Sequence, residues 1–400
     1  MFDVEEIRKD FPILGKEING KKLIYFDNAA TTQKPREVIE GIKFFYENIN
    51  ANPIRSLHYL AEKATEAYNE ARKKVAEFIN ASPEEIVFVR NATEGINLVS
   101  FAVPFKKGDS IVTSYLEHHS NILPWLRLKE EGINVEFADV DENYDLKMEI
   151  YENLPENTKL VTVTHESNVS GTINDVEKIS NLVHKKGALF LVDLAQSIPH
   201  MKIDIKKIGA DFAAFSGHKM LGPFGIGVLY INKRIHNILN PFLEGGEMIK
   251  DVKLNRIEYA DLPYFYEAGT QNIEGAFGLG IAIDYLNKIG MNEIENYEEK
   301  LKKHMFERIK ELKKVKVFSG KSKKYGAILS FNIEGLHPHD VAYLLDKEGI
   351  AIRSGFHCAQ PFIEDKLKQN GTARASLYFY NTIEEIDKFI EVLKEIERKV

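Results

Sequence analysis

Two stretches decide the fold: Leu189-Phe190-Leu191-Val192-Asp193-Leu194-Ala195-Gln196 and Phe212-Ala213-Ala214-Phe215-Ser216-Gly217-His218-Lys219. Each is a short apolar run that stops abruptly in polar residues able to do chemistry. That is the pattern of a buried strand opening into a ligand loop. Working outward, similar runs lie at 85–89, Ser110–Ser114, 160–164 and Gly227–Ile231, and amphipathic stretches at 93–102, 121–129 and 175–186 separate the earlier ones. Strands alternating with helices predict an α/β fold with a largely parallel sheet covered on both faces. From about Thr270 the texture changes to a long helical stretch, 275–314, then to a compact mixture ending in a charged amphipathic helix, 382–399. The expected division is a large domain over 21–268 and a small α+β domain made of 1–20 and 269–400, with the stretch 4–10 packed against the C-terminal unit.

Size and charge narrow the function. A chain of 400 residues calls for two domains, and 44% hydrophobic against 28% charged residues can bury a large core. The net charge of −7 comes from 53 basic and 60 acidic side chains spread along the chain, with no basic block to meet a phosphate backbone, so no nucleic acid is expected as partner. No apolar run approaches the roughly 18 residues of a membrane span. The first ten residues lack an apolar signal core, and the expectation is a cytoplasmic protein without a membrane partner. A single cysteine rules out an intramolecular disulfide and any cysteine-based metal cluster. Cys358 is therefore either a small packing residue or a reactive one.

Four loops at predicted strand ends carry the chemistry. Asp193 and Gln196 follow the strand 189–193, where a carboxylate can keep a pyridine nitrogen protonated and an amide can donate to a phenolate oxygen; a helix cap is the plainer reading of Asp193. Lys219, in Ser216-Gly217-His218-Lys219, sits among turn-formers where an unpaired ammonium is costly to bury, unless it forms an imine with a cofactor aldehyde. An exposed turn lysine is the alternative. The stretch 87–97 runs from strand into helix, and its first turn offers free N–H groups and the Thr93 hydroxyl to a phosphate, unless it is an ordinary cap. Ser216 and His218 could add side-chain contacts there. Glu117-His118-His119-Ser120-Asn121 supplies an imidazole that can stack on a ring; with no C-x-x-C or H-E-x-x-H pattern, no metal is expected. Electron sink, imine lysine, phosphate cradle and stacking ring together describe the needs of pyridoxal 5'-phosphate.

Longer motifs add a resemblance over nearly the whole chain. They include Phe26-Asp27-Asn28-Ala29-Ala30-Thr31-Thr32-Gln33-Lys34-Pro35, Glu117-His118-His119 with Asn121, Thr164-His165 with Ser167-Asn168-Val169, Glu267-Ala268-Gly269-Thr270, and Arg353 with Gly355, His357-Cys358-Ala359 and Pro361. The sequence resembles the class V aminotransferase group of fold-type I pyridoxal-phosphate enzymes, and more closely the SUF-type (group II) cysteine desulfurases, also described as selenocysteine lyases. The resemblance implies a mainly parallel, seven-stranded sheet and a small domain carrying the cysteine loop. It also implies a homodimer, with L-cysteine as substrate and a sulfur-acceptor or iron-sulfur scaffold protein as partner.

By the same resemblance Lys219 binds the cofactor aldehyde, His118 stacks on the ring, and Asp193 and Gln196 meet the ring nitrogen and phenolate. Thr93, Ser216 and His218 hold phosphate, helped by backbone at Ala92 and by Thr270 from the second subunit. Arg374 grips the substrate carboxylate with Asn168 beside it, and Arg55 and Asn28 complete the substrate site. The sequence departs from the family pattern at Ile54, Ser56, Ala92, Gln271 and Phe356, none of them the lysine, the ring carboxylate or the cysteine. Cys358 is expected as the thiolate that takes sulfur, its charge favoured by His357, Arg353 or the bound cofactor. A class V enzyme working without a nucleophilic thiol, such as a selenocysteine lyase, is the rival reading.

Overall fold

The computed structural model describes residues 2–53 and 57–399. Seven strands, β1 (Ile86–Val89), β2 (Ser110–Ser114), β3 (Asn134–Ala138), β4 (Thr158–Thr164), β5 (Leu189–Asp193), β6 (Phe212–Ser216) and β7 (Gly227–Ile231), form one sheet in the order β1-β7-β6-β5-β4-β2-β3. Successive side chains fall into two apolar clusters, one per face: Phe190 and Val192 belong to one, Leu189 and Leu191 to the other. Burial on both faces is why these strands read as continuous apolar runs. Only β7 runs antiparallel to its neighbours. It is reached from β6 through the short loop 217–226, too short for the crossover that a parallel strand requires. Strand β3 was not anticipated, because it lies at the sheet edge with Asn134 and Glu136 exposed.

Helices α1 (Arg36–Asn48), α2 (Tyr59–Phe78), α3 (Ala92–Ala102), α4 (Val176–Lys185) and α5 (Ile273–Ile289) accompany this sheet, with α5 lying against α1 and α2. The expected continuous helix over 275–314 is instead two. Gly290, at φ +93°, ends α5 and begins α6 (Met291–Arg308). A side chain is strained at that backbone angle, so the glycine marks a corner inside what reads as one periodic stretch.

The second sheet holds β8 (Val315–Val317), β9 (Ile328–Ile333), β10 (Arg353–Gly355) and β11 (Thr372–Ser376), antiparallel in the order β8-β9-β11-β10. It packs with α7 (Pro338–Asp346) and α8 (Ile383–Arg398) around its own apolar cluster. Helix α8 begins in a reciprocal cap between Thr382 and Glu385. The short N-terminal helix Val4–Arg8 meets this unit through Arg8, whose guanidinium lies 2.6 Å from Glu385 and donates to the Tyr380 carbonyl, while Asp10 just beyond it accepts from Tyr285 and the Arg36 N–H.

A buried ion pair fixes the loop that ends in Thr270. Arg72 on α2 donates both terminal nitrogens to Glu267 at 2.7 Å, while Tyr68 and the Phe88 amide donate to the same carboxylate at 2.9 and 2.8 Å. Arg72 is held protonated by the pairing despite its burial. Arg72→Ala leaves a buried carboxylate without its cation, and should lower unfolding stability in urea by about 3–5 kcal/mol. A loss below about 1 kcal/mol, the worth of an exposed pair, would contradict this account.

Candidate active site

The carboxyl ends of β1, β2, β4, β5 and β6 open into one cavity of about 280 Å³, closed from the other side by Arg353, His357, Cys358 and Arg374 of the small unit. Strands β5 and β6 are neighbours in register, with Asp193 opposite Ala214, so the residues that follow them share a wall. Asp193 is buried; one oxygen accepts the Ala195 N–H at 2.9 Å, and the other has no partner among the described residues. Burial raises its pKa, while the Ala195 N–H and the Lys219 charge oppose the rise. Gln196 donates one amide hydrogen to the Ala29 carbonyl at 2.9 Å and keeps a second for the cavity.

Lys219 ends a single turn after β6, and among the described residues its amine makes no hydrogen bond. Burial lowers its pKa from 10.5 to about 8, against the attraction of Asp193; Arg374 adds to the fall. The amine therefore sheds its proton within reach of neutral pH. His118 accepts the Ser120 N–H at Nδ1, 3.1 Å away, which leaves its proton on Nε2. Burial, then the charges of Lys219 and its neighbours, drive its pKa to about 3, so the ring is neutral.

Opposite this end, Asn91 caps α3 by accepting the Glu94 N–H at 3.0 Å, and Ser216 accepts the Ala92 N–H at 2.9 Å. The Thr93 N–H and hydroxyl and the Ser216 hydroxyl proton remain for an anion at the helix start. Gly227 allows this approach: a Cβ there would meet the Asn91 Cα at 2.6 Å. His218 also lines the cavity, neutral because burial lowers its pKa to about 4, with its Nδ1 buried and unpartnered.

On the small-unit side, Arg374 donates to the Asn168 carbonyl at 2.9 Å and to Asp27 at 3.4 Å, while its Nε is buried without a partner. Asn168 in turn donates to the His357 carbonyl at 2.7 Å, leaving its own side-chain oxygen unpartnered. Cys358 is exposed at the cavity mouth, and both it and His357 hold left-handed backbone, φ +54° and +50°. Two consecutive side-chain-bearing residues in that region cost about 1–2 kcal/mol each, so other contacts must hold them.

The structure does not gather every expected residue. Asn28 does not line the cavity. Its amide is taken up by the Ser376 and Tyr25 carbonyls and Asn381, and its oxygen accepts from Tyr380, which ties its segment to the small unit. Thr270 is exposed in a separate surface crevice beside Arg90 and Phe242. Arg55, with Ile54 and Ser56, lies outside the described residues. His357 does not lend Cys358 a positive charge: it is buried against the Thr372 carbonyl and hydroxyl at 3.0 and 2.9 Å, and burial holds its pKa well below the usual range. Arg353 pairs with Asp27 at 3.1 Å.

Sequence reasoning missed Asp27, which bridges Arg353 and Arg374, although it stood inside a quoted motif. It also passed over Glu166, a buried lining residue whose pKa burial raises to about 8, and which fits because Gly326 has no Cβ to fill its place. Nothing local marks either one, since their partners lie far along the chain.

This fold and cavity belong to a defined class. The chain is a member of the aminotransferase class-V family, whose model matches residues 24–389. Pyridoxal 5'-phosphate is the cofactor of that family. A protein of Synechocystis sp. described as a "Probable cysteine desulfurase" is 47% identical over 97% of this chain and 94% of its own length. One of Pyrococcus abyssi with the same description is 46% identical over 99% and 98%. Among solved structures, the apo cysteine desulfurase of Thermococcus onnurineus NA1 superposes with a TM-score of 0.95 at 43% identity, covering 100% of this chain and 99% of the other. The Escherichia coli cysteine desulfurase CsdA, in an S-sulfonic acid form, gives 0.92 at 31% identity over the full length of both.

The cavity fits that cofactor: a carboxylate with a free oxygen, an amine near neutrality, an open helix start and unpartnered polar atoms line one space. Trapping of pyridoxal 5'-phosphate on the apoprotein by borohydride needs the neutral amine. Its initial rate should rise with pH to half-maximum near pH 8, where burial places the titration of Lys219. A half-maximum near the ordinary lysine value would show that the amine is not desolvated.

Proposed function

We propose that the chain is a cysteine desulfurase that converts L-cysteine to L-alanine and carries the sulfur as a persulfide on Cys358. The observation that supports this most is that an exposed thiol and a near-neutral lysine amine line the same cavity. Pyridoxal 5'-phosphate would be held by Lys219 at its aldehyde carbon, by Asp193 at the ring nitrogen and by Gln196 at the phenolate. The neutral His118 ring would stack on it. Thr93, Ser216 and His218 would hold the phosphate; the Ala92 N–H, expected to join them, is spent on Ser216 and orients that hydroxyl instead. When bound, the group draws electrons away from the substrate α-carbon.

The chain's own residues do the rest. Arg374 and Asn168 line the cavity together, and Arg374 binds the substrate carboxylate there. Lys219 Nζ takes the proton from the substrate Cα and later returns one. The Cys358 thiolate attacks the substrate sulfur; a sulfur–sulfur bond forms, and the Cβ–S bond breaks with its electron pair staying on carbon, which a proton then quenches. The three cations that a Cys358 anion would feel, Lys219, Arg374 and Arg353, are all made better proton holders by it.

We propose further that two copies assemble so that the exposed Thr270 of one reaches the phosphate of the other. The sulfur would pass from the cavity mouth to an acceptor or iron-sulfur scaffold protein in the cytoplasm. No helix among the described residues is long and apolar enough to cross a membrane.

Cys358→Ser should keep the cofactor's absorbance and still exchange the Cα hydrogen of alanine for deuterium, because neither needs sulfur at position 358. The same variant should show no added sulfur by intact-protein mass spectrometry after exposure to L-cysteine. Full alanine production from cysteine by that variant would reject the thiol's role.

A further inference from the structure

We infer that His119 is a positioning residue that holds the Cys358 loop in its reactive pose. Unlike its neighbour His118, it does not line the cavity. It brackets the cysteine instead: its backbone N–H donates to the Cys358 carbonyl at 2.6 Å, and its ring Nε2 accepts the Gln360 N–H at 3.0 Å. The ring can accept only while neutral with its proton on Nδ1, and burial, which lowers its pKa, favours that form.

The bracket is needed because of the backbone between its ends. His357 and Cys358 both occupy the left-handed region, from which a free loop of ordinary residues would relax. Asn168 holds the His357 carbonyl and the Thr372 contacts hold the His357 ring, but these lie on the near side of the thiol. On the far side, among the described residues, the imidazole is the side chain that reaches the chain just past Cys358, beside the Ala359 N–H bond to the Phe356 carbonyl at 2.8 Å that closes the turn itself. The pose is therefore fixed by the same strand-end loop that presents His118, which ties the thiol's position to the cavity it serves.

The proposal rests on the desulfurase reading above, and its test separates the two. His119→Ala removes the ring acceptor and keeps the backbone N–H; His119→Gln keeps an acceptor on a side chain of similar reach. In the pyridoxal-phosphate-loaded full chain, His119→Ala should slow persulfide appearance on Cys358 by on the order of ten- to a hundred-fold, the usual penalty for a reacting group displaced by about 1 Å. Cofactor absorbance and Cα hydrogen exchange of alanine should be unchanged, and the Gln360 amide should exchange with deuterium faster than in the native chain. His119→Gln should restore both the persulfide rate and the amide protection to within a fewfold. Native-rate persulfide formation in His119→Ala, unchanged Gln360 exchange, or loss of Cα exchange together with the persulfide would each overturn the assignment. A native chain that forms no persulfide would instead reject the desulfurase reading, while the Gln360 exchange comparison would still report on the bracket.

Discussion

A primary amine removed from water sheds its proton, and that single desolvation governs the chemistry of Lys219. The sheet makes it possible. Because β5 and β6 are parallel neighbours, their carboxyl ends set Asp193 and Lys219 into the same crevice, where the carboxylate limits how far the amine's pKa falls. Without Asp193 the lysine would lose the partner that favours its charge; without burial it would remain an ordinary ammonium. The antiparallel return of β7 completes the setting. It packs Gly227 against Asn91, bringing the start of α3 to the far wall without a crossover helix in the way.

The two units are joined across the cavity by a chain of polar contacts. Asp27 pairs with Arg353 and Arg374, Arg374 donates to the Asn168 carbonyl, and Asn168 donates to the His357 carbonyl. Arg374 is the costly member. Burial lowers its pKa to about 10 and Asp27 pulls it back, so the carboxylate is what keeps a guanidinium tolerable at that depth. A carboxylate arriving in the cavity that Arg374 lines would meet a cation already desolvated and held in place, which is how a buried arginine gains selectivity over an exposed one.

What could be read from the sequence follows from this arrangement. Runs such as Leu189–Asp193 and Phe212–Ser216 are apolar because both faces of the sheet are covered, and their abrupt polar endings mark the ligand edge. The same logic fails for Asn134–Ala138, an edge strand with solvent on it, and for Gly290, whose corner is invisible to a helical period that continues on both sides. Lys219, Asp193 and His118 stand out in the sequence because each is an awkward residue for its place, and the structure sets all three around one cavity. Asn28 was misplaced because its motif is local, while the groups that occupy its amide, Ser376 and Asn381, come from the other end of the chain. Asp27 and Glu166 were passed over for the same reason: a buried charge declares itself only through partners that the fold brings to it.

The segment after β2 shows how much function a short irregular stretch can carry. Three consecutive residues there point three ways. Glu117 turns inward, accepting from Ser114, Asn121 and the Thr164 N–H, with burial raising its pKa to about 8. His118 turns to the cavity, and His119 turns to the chain around Cys358. Neither a helix nor a strand could do this, since a helix returns a side chain to the same face only after three or four positions and a strand alternates between two. The bend at His118–Asn121 is a single 3-10 turn, and Glu117 anchors it from below by bonding both the strand before it and the neighbouring β4. The buried carboxyl thus touches no cavity wall, yet it braces the turn from which the two imidazoles diverge, through Asn121 at the turn's end and Ser114 before it. For that reason the order Glu117-His118-His119 matters more than the presence of two histidines: shifting the bend by one residue would send the ring meant for the cavity toward the cysteine loop.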